Sequence, residues 1–121
     1  DGRAEGISWS TITDFKLGTD KATIWGWKSG VSKVARIDEA GGAPGFEGVT
    51  LHFENLLPSG TSDGDLNSNW NSLTFSGLAL ADFGVSSLER LNAQISSGSN
   101  PFLSTGQTVD DYGTHSYLYI S

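Results

Sequence analysis

The chain has no cysteine among its 121 residues. That excludes a disulfide framework, thiolate nucleophiles and zinc–thiolate sites. Bases are scarce too: 7 Lys and Arg stand against 14 Asp and Glu, for a net charge of −7. An acidic surface repels nucleic acid and anionic lipid, and no basic patch offsets it, so nucleic acid and membrane are set aside as partners. No apolar run approaches the roughly 20 residues that a spanning helix needs. His-Glu-x-x-His does not occur, and there are only two histidines. The chain opens at Asp1 without a methionine or a signal peptide, and reads as a piece of a larger protein.

What remains is a polar but lightly charged composition. Hydrophobic residues make up 36 % and aromatics 11 %, enough for a core in a single domain, while only 17 % of residues are charged. Sixteen glycines with abundant Ser, Thr and Asn point to short strands and many turns. Strands are expected over 7–15, 21–27, 31–37, 49–56, 72–76 and 117–120, from runs of alternating character. Leu88, Leu91 and Ile95 fall at helical spacing, so a helix is expected over about 86–96. Ser86 with Glu89 has the spacing of a capping box, and Gly98 is a stop. The expected fold is mainly β: a single-domain β-sandwich of short antiparallel strands with one short helix.

The functional reading starts from Trp25 and Trp27, two residues apart on an expected strand. Alternate strand residues share a face and lie about 7 Å apart. With Ile24 inward, Thr23, Trp25 and Trp27 face outward together. By the same parity His52 lies opposite Leu51 and Phe53, and His115, Tyr117 and Tyr119 lie opposite Leu118 and Ile120. A stripe of rings on a rigid sheet stacks against the C–H faces of sugars, while nearby polar groups meet their hydroxyls. Trp70 and Tyr119 extend that platform, and His52, Glu54, Asn69 and Asn71 supply the hydrogen bonds. Packing of the two tryptophans into the core is the competing structural reading.

Two polar clusters invite other chemistry. Asp63, Asp65 and Asn67 space oxygen ligands at alternate positions, as at the start of a Ca²⁺ loop, although the sixth-place Gly and later Glu are missing. A solvated turn is the plainer reading. Asp110 and Asp111 stand beside Tyr112 and His115, and adjacent carboxylates serve as an acid–base pair when their environments differ. On a strand these two would face opposite sides, so the expectation is a polar turn and no enzyme. A small hydrolase would have to draw on Asp14, Asp20, Asp110 and Asp111.

The stretch Ile12-Thr-Asp14-Phe15-Lys-Leu-Gly18-Thr-Asp20-Lys21 resembles a motif that follows repeat arrays in bacterial proteins exported by type I secretion. Ser10 stands where that pattern has its first Asp. The resemblance implies export into a calcium-rich exterior, and the alternative reading of a C-terminal export or adhesion cap. Taken whole, by size, expected sandwich, Trp25/Trp27 pair and Trp70 in a polar loop, the chain resembles a non-catalytic carbohydrate-binding module of a bacterial glycoside hydrolase. That resemblance implies a secreted module tethered to a larger chain, a polysaccharide partner such as cellulose, mixed-linkage glucan or xyloglucan, and a structural Ca²⁺.

Overall fold

A computed structural model describes residues 6–28, 31–54 and 69–121, with the backbone alone at residues 6–8, 54, 69 and 70. It contains seven strands: β1 (Gly6–Ile12), β2 (Ala22–Trp25), β3 (Val34–Gly41), β4 (Gly48–Glu54), β5 (Asn69–Ser76), β6 (Leu103–Asp110) and β7 (Gly113–Ile120). A 3₁₀ turn at Leu80–Phe83 and one α-helix, α1 (Leu88–Ser97), lie between β5 and β6. The strands form a four-stranded sheet in the order β1-β5-β4-β3 and a three-stranded sheet in the order β2-β7-β6. Among the described residues the fold is therefore mainly β, with two sheets and one helix.

Alternation builds the core. In the larger sheet, Leu51 and Leu73 are direct partners, as are Val49 and Phe75. In the smaller one, Ala22, Ile120 and Leu103 form one row and Ile24, Leu118 and Thr105 the next. The buried members of these rows pack into a single cluster with Phe15, Phe83, Leu91 and Ile95. Edge-to-face contacts run from Phe15 to Phe75 to Phe83, with centroids 5.1 and 5.4 Å apart, the geometry ring quadrupoles favour.

One pairing departs from the expected antiparallel pattern: β1 runs parallel to β5, with Trp9 opposite Ser72. Between the two strands lie β2, β3 and β4, so a long crossover separates them, as parallel neighbours require. β3 and β7 also differ from expectation. β3 starts three residues later than alternation indicated and carries register shifts at Val34/Arg36 and Asp38/Gly41. β7 extends back to Gly113 and pairs with β6, a strand that residue patterning did not reveal because Gly106 and Gln107 interrupt its apolar alternation.

The helix forms where its periodicity lies, with its cap one residue later than the Ser86/Glu89 spacing indicated. Ser87 Oγ accepts from the Arg90 N–H at 3.2 Å, and Gly98 closes the helix in the left-handed region at φ 69°. Asn92 then binds the edge of β3 with both ends of its amide, accepting from the Val34 N–H and donating to the Val34 carbonyl, each at 2.9 Å. Buried Asn100 fastens the other end. Its Nδ2 donates to the Phe83 carbonyl and to Gln94, and its Oδ1 accepts from the N–H groups of Phe102 and Leu103. A buried amide with all these partners ties the 3₁₀ turn, α1 and the start of β6 together without an unsatisfied group.

Candidate functional site: an aromatic pair on the smaller sheet

The structure separates the two tryptophans that share a face in the strand reading. β2 ends at Trp25, and Gly26 takes φ 89°, a conformation only glycine adopts without strain. The chain turns there, so alternation does not carry to residue 27. Trp25 stays on the outer face, half exposed, whereas Trp27 is 4 % exposed and packs edge-on against Phe53 with centroids 5.7 Å apart. Trp27 therefore belongs to the core and leaves the platform.

Trp25 gains a different partner. It lies directly opposite Tyr117 in the β2–β7 pairing, with ring centroids 5.4 Å apart and planes at 68°. On the other side of Tyr117 the partner is Gly106 on β6. A Cβ built there would sit 2.6 Å from Tyr117 Cζ, so the phenol ring occupies the space over Gly106 that a side chain would fill. Thr23, Tyr119 and Ser104 form the next row on the same face. This face thus carries a ring pair fixed by register, flanked by a second phenol and by hydroxyls.

The β6–β7 hairpin continues past this pair to a tight tip. Asp110 Oδ1 accepts from the Tyr112 N–H at 2.7 Å and bonds His115 Nε2 at 3.0 Å. The Tyr112 N–H and then His115 hold the Asp110 carboxyl below its ordinary pKa. Asp110 and Asp111 thus belong to a polar turn between two strands, and Tyr112 at its apex is 92 % exposed. Asp20 is likewise a turn residue: its carboxylate accepts from the Lys16 N–H at 2.8 Å.

His52 lies on the other sheet, so it does not join the Trp25 face. It is 8 % exposed and held from both sides: Nδ1 is 2.6 Å from Ser72 Oγ, and Nε2 is 2.7 Å from Asp38 Oδ2. Arg36 also donates to Asp38, at 3.0 Å. The His52 hydrogen bond first, and Arg36 after it, hold Asp38 below its ordinary pKa against an opposing desolvation. The connectivity is that of a hydroxyl–imidazole–carboxylate relay, yet Ser72 is only 3 % exposed in the middle of a strand, so its hydroxyl serves the sheet. Sequence reasoning missed this chain because Asp38, His52 and Ser72 come from three strands whose register is set only by folding.

Asn71 is opposite buried Phe53 and half-buried itself, on the alternation opposite to His52. Glu54, Asn69 and Trp70 are placed only by backbone pairing, Glu54 opposite Trp70; their side chains lie outside the described residues. So do Asp63, Asp65 and Asn67, the expected calcium ligands. Among the described residues no three His, Cys, Asp or Glu side chains are placed to share a metal ion.

Trp9 is a further ring that the strand reading did not assign to a site. It is 54 % exposed on the outer face of the larger sheet. Its Nε1–H donates to Thr74 Oγ1 at 2.9 Å, Thr74 and Thr50 hydroxyls are 2.7 Å apart, and Thr50 Oγ1 donates to the Gly48 carbonyl at 3.2 Å. That one-directional chain fixes the indole on the sheet. The signal was present in the sequence, since Trp9 and Thr11 share a strand face opposite Ile12.

Comparison of the chain with protein-family models, with curated proteins and with solved structures finds no match in any of the three. Among the described residues no helix is long and apolar enough to cross a membrane.

Proposed function

We propose that the chain is a non-catalytic binding module for β-linked glucan chains, secreted as part of a larger protein that it directs to its polysaccharide. The observation that carries this reading is the Trp25–Tyr117 pair over Gly106 on the outer face of the smaller sheet. Two rings held by strand register offer apolar area to a sugar at little cost in side-chain entropy. Tyr119, Thr23 and Ser104 stand in the adjacent row, where hydroxyl partners are needed. A net charge of −7 with few bases suits an uncharged ligand. A structural Ca²⁺ held by Asp63, Asp65 and Asn67 belongs to the same proposal, and repeating the binding assay with chelator tests it.

Affinity electrophoresis in soluble β-glucan tests the platform directly. Trp25→Ala is expected to weaken retardation roughly tenfold, as for a central aromatic contact. Trp25→Ala with unchanged retardation refutes the platform. Burial of Trp27 favours one competing reading, an export or adhesion cap of a type I-secreted protein. For the cap, no polysaccharide alters the tryptophan fluorescence of the wild type.

A further inference from the structure

A second site stands apart from the aromatic face. A cavity of about 140 Å³ opens between α1, the start of β6 and the segment that follows Trp27. Its lining is Trp27, Ser32, Lys33, Asn92, Ile95, Ser96 and Thr105. Trp27 and Ile95 are buried core residues, so the inner wall is an indole and an aliphatic side chain. The room is on the scale of one small ring and well short of a drug-sized pocket.

The polar lining is incompletely used. Thr105 sits in the inward-facing row with Ile24 and Leu118, yet its hydroxyl has no hydrogen bond among the described residues. The Ser96 hydroxyl has none either. Ser32 Oγ accepts from the Lys28 N–H at 2.8 Å, which leaves its own hydrogen to donate. Asn92, by contrast, spends both ends of its amide on Val34. Among the described residues Lys33 has no ion-pair partner, and none of the cavity's lining residues is Asp or Glu. Thr105 is half-buried against the cavity, so its hydroxyl is open to a ligand there.

We propose that this cavity is a binding site for a single hydroxyl-rich ring that carries a carboxylate, the chemistry of a uronic acid. Lys33 meets the carboxylate in a charge-assisted bond, and Ser32, Ser96 and Thr105 meet ring hydroxyls. Trp27 lines the apolar wall, so the residue that left the platform contacts ligand from inside. The site goes beyond the glucan platform and does not depend on it.

The test follows tryptophan indole and backbone amide signals by NMR while sodium glucuronate, glucose or sodium benzoate is titrated into the whole chain. Glucuronate is expected to shift the Trp27 indole and Thr105 amide saturably. Glucose lacks the carboxylate and benzoate lacks the hydroxyls, so each is expected to bind at least roughly tenfold more weakly. Lys33→Met, at an exposed position, is expected to lower glucuronate affinity by a similar factor, and Thr105→Val to lower it with the fold retained. Trp25→Ala is expected to leave it unchanged, which separates this site from the platform. Absence of a saturable shift with glucuronate, equal binding to Lys33→Met, or benzoate binding as tightly as glucuronate overturns the proposal.

Discussion

Truncating Trp25 and Trp27 to alanine separately gives the sharpest test of how the chain folds around Gly26. The residues are identical and two apart, yet one is half exposed and the other is 4 % exposed against Phe53. Removing a buried indole loses its transfer free energy and leaves a cavity, about 3–5 kcal/mol in well-packed cores. Trp27→Ala belongs in that range. Trp25→Ala opens no internal cavity. It loses its half-buried area and the ring contact with Tyr117, about 1 kcal/mol in all. Urea denaturation followed by far-UV circular dichroism separates the two. With a slope of about 1.5 kcal/mol per molar for a small domain, Trp27→Ala should lower the midpoint by roughly 2–3 M and Trp25→Ala by less than about 1 M. Equal midpoints, or a larger loss for Trp25→Ala, would refute the separation of the pair at Gly26 and return both rings to one strand face.

Two glycines make a second contrast: a Cβ at Gly48 runs into the Phe75 carbonyl, its carbon 2.7 Å away, whereas one at Gly106 meets only the swinging end of Tyr117. Gly48→Ala should therefore lower the thermal midpoint by several degrees, while Gly106→Ala keeps it but loses the near-ultraviolet circular dichroism of the Trp25–Tyr117 pair and weakens glucan retardation. Asp38 predicts a pH dependence. Its pKa is depressed in the folded chain, so its contribution is present above the unfolded value near 3.9 and is lost as pH falls through the folded one. The stability gap between wild type and Asp38→Asn should narrow below about pH 4 in urea titrations; a gap constant down to pH 2 would contradict the His52 and Arg36 contacts. The effect will be small, because 43 % of the Asp38 side chain is exposed and solvent screens it.

The sequence by itself determined the class of fold and most of the core. Alternation in Val49–Phe53 and the 3.6-residue spacing of Leu88, Leu91 and Ile95 are local signals, written into side chains whose burial drives folding, so the strand and helix appear where patterning puts them. Parity also placed Tyr117 and Tyr119 opposite Leu118 and Ile120, which the β2–β7 register bears out. The partners of each ring were not legible. Trp27 changed face because one glycine dihedral ended β2, a backbone choice that hydrophobic period does not encode. His52 went to the other sheet from Tyr117 because strand order depends on long-range pairing, including the parallel β1–β5 contact. Gly106 reads in the sequence as a break, and only its register opposite Tyr117 makes it the bed of an aromatic pair. Local chemistry chose the elements; register, sheet order and a single turn at Gly26 decided which rings meet solvent.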